Sequence, residues 1–374
     1  QQINIEYTHG EINKKPSIDI TQKLKQAIID AGGKGDITTA FLYEPAKIIQ
    51  LPAGAMGLEI SGSDRILIEK NNIIIRGQGM FNTRLVQIGA NQCNEMFRFK
   101  EAYGGGLMDL TLDGGLPWRP VGTETNGADI PLVLDQVANF VMDGVNVCNY
   151  RHRGFQFIHF WESYVGEIRA FNGGWFPVVG SDPGGMFFDD FRQESTFFPG
   201  SESNQTYISQ YSFSGLGAVY HFKSPCFNVH IDHVVSEDMT YSGYFPPQAT
   251  NVTKCLVSGI SSGVVVDHAW YYFHDQVPSW GVGATLFDFA NAGFGCSFQN
   301  QVIFQEIPTS SPTNVLGCPK IFSNGSAYPV RVDVSIEDRN CESELFNTLT
   351  VPSLLTGLIT YRTDQTRTFE DLLN

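Results

Sequence analysis

The middle of the sequence places carboxylates and a histidine at the ends of short apolar segments. Asp189 and Asp190 end one such segment, and Glu194 lies four residues after Asp190. Glu162 lies three residues after His159, which ends a second segment. Adjacent carboxyl groups repel each other, which raises the pKa of one of them and suits it to donate a proton. Two carboxyl groups about 5–9.5 Å apart are what glycoside hydrolysis requires, so these four acids are the candidate catalytic residues.

Aromatic, basic and imidazole side chains near these acids are candidates for binding a substrate. Aromatic rings stack on the apolar C–H faces of sugar rings, and basic groups orient a ligand or shift the pKa of a nearby acid. The predicted substrate-binding residues are His159, His221, Arg151, Trp161, Trp175 and Tyr220.

A second group of polar and aromatic residues spans 267–275, with the sequence DHAWYYFHD. Strand alternation predicts Asp267 on the same side as Ala269, with His268 on the other side. His268 and His274 are six residues apart, so we predict no metal site and no cofactor, and interpret the segment as a subunit contact or a sugar-binding ridge. Surface or interface roles are also predicted for three residues around the inward-facing Ile231, namely His230, Asp232 and His233.

These residues lie within a repeated pattern that must position them. The pattern spans eight residues. Its first, fourth and sixth positions are apolar, and its eighth position is Asn, Asp or Gly. The pattern fits residues 107–114, 142–149, 165–172 and 208–215, and more loosely 231–238. Successive copies start 35, 23, 43 and 23 residues apart. The spacing indicates a base period of 23 residues with insertions of 12 and 20.

A period of this length predicts an all-β, right-handed parallel β-helix. Three short strands and three turns make one coil, and stacking the coils pairs each strand with its equivalent. Inward side chains then form apolar ladders, and a residue that tolerates a left-handed conformation ends each strand at the same corner. An α-solenoid is not favoured, because 23 residues are too few for a helix pair and the pattern alternates with period two. Weaker strand patterns continue to about residue 336.

The insertions indicate which side of the solenoid carries a site, because they leave a coil without disturbing the stack. They lie near residues 115–129 and between residues 172 and 208, and together they are rich in Gly, Pro and Ser. Their aromatic residues, which we expect to be exposed, are Trp118, Trp175, Phe197 and Phe198.

Three strands near these insertions can be aligned through the glycines that precede them, Gly154, Gly185 and Gly217. In that register Ile158, Asp189 and His221 stack on the outer face of neighbouring coils.

The beginning of the chain completes a resemblance to a known family. Residues 21–31 form a predicted amphipathic helix, and residues 51–54 (LPAG) form a turn before the repeats. Together with the repeats, they resemble the pectin-lyase-like β-helix superfamily, and within it the phage tailspike polysaccharide depolymerases. The resemblance implies a polysaccharide substrate, a homotrimer, an extracellular or virion-tail location, and a helix that caps the solenoid. We expect an N-terminal segment at 1–60, a β-helix at 61–340 and a C-terminal capping segment at 341–374.

Composition restricts the partners. With 39 acidic and 24 basic residues, the net charge is −15, which argues against nucleic acid or an anionic membrane surface as a partner. No apolar run reaches the roughly 18 residues that a membrane-spanning helix needs. The 38 glycines and 28 phenylalanines suit many short strands around a Phe-rich interior.

The sequence therefore predicts a depolymerase that hydrolyses a bacterial capsular polysaccharide or exopolysaccharide. One alternative is a β-eliminating lyase, with Arg151, His159 or His221 neutralising a uronate carboxylate or abstracting the adjacent proton. Another is a non-catalytic adhesin or spike that binds glycan.

Overall fold

The protein is described by a computed structural model. The structure describes residues 2–4, 16, 18–32, 45–118, 120, 123–176, 183–189, 203–215, 217–223, 225–238, 253–258, 261–273, 285–289, 291–305, 320–322, 328–339 and 355–363. Within these ranges, 25 strands belong to one sheet that winds into a solenoid. They are accompanied by one helix, α1, at Thr21–Ala31.

The strands, in chain order, are β1 Gln2–Asn4, β2 Lys47–Gln50, β3 Gly54–Leu58, β4 Ile66–Ile68, β5 Ile73–Arg76, β6 Thr83–Gln87, β7 Gln92–Tyr103, β8 Gly106–Asp113, β9 Gly127–Ala138, β10 Val141–Cys148, β11 Arg153–Trp161, β12 Tyr164–Phe171, β13 Gly184–Asp189, β14 Ser203–Gly215, β15 Ala218–Phe222, β16 Cys226–Ile231, β17 Val234–Asp238, β18 Thr253–Val257, β19 Val265–Phe273, β20 Thr285–Asp288, β21 Ser297–Gln305, β22 Lys320–Phe322, β23 Val330–Arg339, β24 Leu355–Thr356 and β25 Ile359–Thr363.

Each strand pairs in parallel with the equivalent strand of the next coil, as the repeat predicts. Met142 of β10 pairs with Leu107 of β8 and with Val165 of β12, and Val165 pairs with Ile208 of β14. The other apolar positions of the pattern pair in the same register. The predicted right-handed parallel β-helix is confirmed.

The interior is built from inward ladders, many of them aromatic. The Phe157 ring is tilted against Phe188 at 5.0 Å, and Phe188 stacks on Phe222 at 4.9 Å, measured between ring centroids. These separations match the spacing of about 4.8 Å between paired strands, so each coil adds one ring to a continuous stack. Dispersion and hydrophobic burial then stabilise neighbouring coils against each other.

Left-handed corner residues end the strands at equivalent positions, which was also predicted. Asn149 and Asn172 follow β10 and β12 with φ of 54° and 50°. Asn172 donates a hydrogen bond from Nδ2 to Oδ1 of Asn149 at 2.6 Å. Asparagine enters this conformation more readily than most residues, and the stacked amides bond one corner to the next.

The predicted N-terminal helix is also present and contacts β2 and β4 at the first coils. Its apolar face is buried, through Leu24, Ala27, Ile28 and Ala31. Gly32 ends the helix with φ of 63°. Among the described residues, no helix combines the length and apolar character needed to cross a bilayer.

Parallel pairing extends across both of the expected domain boundaries. Strands β2 and β3 precede residue 60 and pair with β5 and β6, while β25 follows residue 340 and pairs with β23. The division at these two positions stays a prediction.

Two adjacent isoleucines of α1 test whether the helix stabilises the solenoid. Ile28 is 5% exposed and Ile29 is 64% exposed. We expect Ile28→Ala to lower the free energy of unfolding by about 2–5 kcal/mol, because it leaves a cavity against the first coils. Ile29→Ala is the matched control, expected to cost less than about 0.5 kcal/mol. Denaturant unfolding measures both, and equal effects would contradict a capping role for the helix.

Candidate functional site

Asp189 lies at the centre of a buried polar group on the outer face of the sheet. It ends β13 and pairs with Ile158 of β11. Its Oδ2 accepts hydrogen bonds from Arg153 Nη1 at 2.6 Å and Gln156 Nε2 at 2.8 Å. Lys223 Nζ lies 3.4 Å from Oδ1. Because both oxygens accept from cationic or amide donors, Asp189 is placed to act as an anion rather than as a proton donor. We name Asp189, Arg153, Gln156 and Lys223 the Asp189 cluster.

Two buried histidines border this cluster. Burial, with a further contribution from the nearby Arg153 charge, lowers the pKa of His152 and of His221 to about 3. Nε2 of His221 lies 2.7 Å from Oγ of Ser258. Both imidazoles are therefore neutral near pH 7, where they can exchange hydrogen bonds but are weak bases.

The expected stacking of Asp189 on His221 is wrong by two residues. Met186 pairs with Tyr220, and Phe187 pairs with His221. The glycine alignment placed Met186 opposite Ala218, whereas Gly184 is the residue that pairs with Ala218. Since strand side chains alternate with period two, a slip of two residues keeps every residue on its predicted face and leaves no trace in the apolar pattern.

Glu162 lies past a bend in the chain and does not join this cluster. The bend is at His159, which is buried and has φ of 51°. Glu162 is exposed, and its Oε2 accepts a hydrogen bond from Asn139 Nδ2 at 3.4 Å. Trp161 is half-buried and packs edge-on against the His159 ring at 5.5 Å. The contacts of Glu162 thus differ from those of Asp189.

Four further predicted positions, Asp190, Glu194, Phe197 and Phe198, lie outside the described residues. Trp175 and Tyr220 are described, and they differ from the prediction that they line a groove. Trp175 is fully buried and donates from Nε1 to Oδ1 of Asn172 at 3.1 Å. Tyr220 belongs to the inward ladder and is also fully buried. Neither ring is therefore available to stack on a sugar.

Arg151 organises the first insertion. Its Nη1 donates to the carbonyl oxygens of Glu124 at 2.9 Å and Asn126 at 3.0 Å. Its Nε lies 3.3 Å from Oδ1 of Asp129, and its guanidinium carbon lies 4.0 Å from the ring centroid of Phe176. Because these contacts occupy the side chain, Arg151 holds the insertion in place and does not present a free cation.

The insertion held by Arg151 borders a groove of about 590 Å³. Trp118 lies beside it with 52% of its surface exposed, and its ring is 5.2 Å from that of Phe171. The polar residues that line the groove are Arg84, Asp113, Glu124, Asn126 and Asn149. We name these five residues and Trp118 the Trp118 groove. It combines an aromatic surface with two carboxylates, of which Glu124 is half-buried.

Asp113 is rigidly held at the base of this groove. Arg84 Nε donates to its Oδ2 at 2.6 Å, and Asn149 Nδ2 donates to the same oxygen at 2.9 Å. The backbone N–H of Gly115 donates to Oδ1 at 2.8 Å. A carboxylate that accepts from three residues is fixed in orientation.

Trp118 was predicted from the sequence as an exposed aromatic residue, whereas Asp113 and Glu124, the carboxylates beside it, were not predicted. Asp113 is the penultimate residue of a repeat copy, and the insertion that contains Glu124 starts just after that copy ends. A carboxylate at the point where an insertion leaves the coil is the signal that could have identified the pair.

Comparisons with known proteins agree with this architecture. The sequence matches no protein-family model and no curated protein. Among solved structures, ORF18 of Geobacillus virus E2 superposes with a TM-score of 0.60 at 12% identity, over 97% of this chain and 61% of that chain. A DFA-IIIase from Arthrobacter chlorophenolicus in complex with DFA-III gives a TM-score of 0.50 at 12% identity, over 100% of this chain and 87% of that one. This protein has the pectin-lyase-like β-helix fold.

An exopolygalacturonase from Thermotoga maritima is also similar, with a TM-score of 0.45 at 10% identity, over 97% of this chain and 90% of that chain. The chain spans about three-fifths of the length of the viral ORF18 structure, 61%. At these identities the likeness concerns the fold alone.

The neutral His221 predicts how stability depends on pH. An imidazole has a pKa of about 6.5 in the unfolded chain, whereas the native pKa of His221 is about 3. The unfolded state binds more protons between these values, so stability present above pH 6.5 is lost as the pH falls toward 3. We expect His221→Gln to reduce this loss, measured as the free energy of unfolding at several pH values. His268→Gln is the comparison of opposite sign, because the hydrogen bond with Asp232 raises the pKa of His268 and its removal is not expected to reduce the loss at low pH. An unchanged slope for His221→Gln would contradict the prediction.

Proposed function

We propose that this protein binds a bacterial surface polysaccharide, capsular or exopolysaccharide, and hydrolyses its glycosidic bonds in the Trp118 groove. The observation that carries the proposal is the placement of an exposed tryptophan beside two carboxylates in one open groove. Sugar rings stack on aromatic faces, and hydrolysis of the bond between them uses a pair of carboxyl groups.

Glu124 is the proposed general acid. It is half-buried at the rim of the groove, where it can donate a proton to the glycosidic oxygen as the bond to the anomeric carbon breaks. Asp113, which accepts hydrogen bonds from Arg84 and Asn149, is the proposed base or nucleophile. As the base it accepts the proton of the attacking water, whose oxygen forms the new bond to the anomeric carbon.

The pair expected from the sequence, Asp189 with Glu162, is the second candidate for the same chemistry. Asp189 resembles a nucleophile or base in its contacts, and its side chain is almost fully buried, as that of Asp113 is. Asp190 and Glu194 belong to the same proposal. The groove is favoured because it presents the exposed Trp118 and the half-buried Glu124 to a polymer from outside, whereas its second carboxylate, Asp113, is buried as Asp189 is.

The β-eliminating alternative is disfavoured by the placement of its three candidate residues. Arg151 is engaged with Asp129 and the insertion backbone, and His159 and His221 are both buried. A lyase needs such groups in contact with the uronate, so hydrolysis accounts better for the described side chains.

We further propose that the protein is a homotrimer on a virion tail or in the extracellular space. The similarity to a viral protein supports this location. A row of exposed side chains in register on one face, Val141, Tyr164 and Tyr207, offers an apolar surface for a second copy, because apolar patches of this kind mark contact sites. Light scattering is expected to give three times the chain mass of 41.5 kDa, and a monomer mass would contradict the trimer.

Substitution of the acids tests the catalytic proposal. We expect Glu124→Gln and Asp113→Asn each to lower the rate of glycan cleavage by about 100-fold or more, because each removes a proton-transfer group or nucleophile. Asp189→Asn and Glu162→Gln are the comparison pair, expected to retain most activity in folded protein. Product analysis on a panel of purified bacterial glycans measures the rate and shows whether unsaturated ends form.

The outcomes of this panel are distinct. Loss of cleavage in Asp189→Asn and Glu162→Gln, with full activity in the groove variants, would move the active site to the Asp189 cluster. Unsaturated product ends would establish a lyase. If the wild-type protein binds glycans of the panel but cleaves none of them, this result would establish an adhesin or spike.

Trp118 provides a separate test of glycan binding. Trp118→Ala is expected to weaken binding of a glycan fragment by about tenfold, or 1.4 kcal/mol. Trp270→Ala is the matched control, because Trp270 is equally exposed at 53% but lies on β19, outside the groove. Calorimetric titration measures both affinities, and an equal affinity for wild type and Trp118→Ala would remove the groove from the binding site.

A further inference from the structure

Two neighbouring coils each carry an Asp-His pair at the same corner. Ile231 pairs with Val266, and Val235 pairs with Trp270. Three residues separate the paired positions on each strand, so Asp232 lies beside Asp267 and His233 lies beside His268. In each of the two coils, the Asp and the His are the two residues that separate the first and second inward-facing positions of the repeat pattern.

The backbone turns these side chains outward. His233 and His268 both have φ of 50°, and this left-handed residue interrupts the alternation of the strand. Asp267 and His268 therefore both leave the core, while Ala269 is buried. The expectation that Asp267 shares the side of Ala269 is wrong for this reason.

The result is a compact group of nitrogen and oxygen donors. The two imidazole rings stack with centroids 5.0 Å apart at an angle of 23°. His268 Nδ1 lies 2.8 Å from Oδ1 of Asp232, and His233 Nδ1 lies 3.0 Å from Oδ2 of the same carboxylate. One ligand atom from each residue lies within 4.8 Å of the others.

We propose that Asp232, His233 and His268 form a binding site for a divalent transition-metal ion of the zinc type. Imidazole nitrogens and a carboxylate oxygen are ligands that Zn²⁺ binds at about 2.0–2.2 Å. Donor atoms around a tetrahedral ion with such bonds lie about 3.3 Å apart. The two separations between a histidine and Asp232 are close to this value, at 2.8 and 3.0 Å, and one atom from each of the three residues lies within 4.8 Å of the others.

A second carboxylate and a third imidazole surround the three proposed ligands. His230 Nε2 lies 3.1 Å from Oδ2 of Asp267, and its ring packs 5.2 Å from that of Tyr207. The Asp267 carboxylate acts electrostatically on His268 and would add negative charge near the cation.

The site is open on its outer side. The side chains of His233 and His268 are 64% and 58% exposed, whereas Asp232 is 20% exposed. Three protein ligands leave a fourth position of a tetrahedral ion to water or another donor. The prediction of no metal site was based on the spacing of His268 and His274 along the chain. The donors beside His268 come instead from the preceding coil, where His233 lies 35 residues earlier.

Metal titration of the intact chain tests the site. After dialysis against chelator, we expect calorimetry with Zn²⁺ to show saturable binding of one ion per chain. Co²⁺ should give the intense visible absorption of a four-coordinate ion, which the aqueous ion lacks. His233→Asn and His268→Asn are expected to weaken Zn²⁺ binding at least about tenfold. Asparagine suits these positions because it accepts a left-handed backbone, as at Asn149 and Asn172.

Trp270→Ala is the control, since it removes an exposed side chain of the same strand without touching a proposed ligand. It is expected to bind Zn²⁺ as the wild-type protein does, and circular dichroism confirms that each variant is folded. Absence of saturable Zn²⁺ binding by wild type would overturn the proposal. So would wild-type affinity in the double variant His233→Asn with His268→Asn.

Discussion

Parallel, in-register pairing between coils is the constraint on which the rest of the structure depends. It places equivalent side chains about 4.8 Å apart along the solenoid, which is the spacing of the Phe157, Phe188 and Phe222 rings. Every inward position must therefore match its neighbours in shape, and every outward position must tolerate the charge above and below it. The candidate sites follow from the second requirement.

Charges on the outer face satisfy this requirement by pairing between coils. Arg98 binds Asp135, Arg153 binds Asp189, and Arg84 binds Asp113. Each of these carboxylates is almost fully buried, and burial without a partner would cost several kcal/mol. Such pairs stabilise the local structure and also create fixed, oriented carboxylates. At Asp113 the pair lies beside a groove that also holds the exposed Trp118 and the half-buried Glu124, which is why this position is the one proposed for the chemistry.

The corners distribute polar groups differently from the strands. A left-handed residue at a corner turns two successive side chains outward, so short-range alternation no longer decides which face they occupy. This places His233 and His268 together, and it separates His159 from the strand residues that precede it. The row of exposed side chains that ends at Tyr207 lies next to the proposed metal site, because the Tyr207 ring packs against the ring of His230. A subunit contact at this row would therefore also affect the proposed metal site.

The sequence by itself determined the fold, the inward ladders and the capping helix. The apolar template predicted the pairing of Met142 with Leu107 and Val165 because burial repeats with the coil and alternates with period two. Tertiary structure alone decided the register of His221, since a two-residue slip leaves the burial pattern unchanged. It also decided which polar residues meet, because coil lengths vary and the partners of Asp113, Asp189 and His268 come from other coils. The physical reason is that hydrophobic periodicity is local, whereas the contacts of a site depend on how the coils stack.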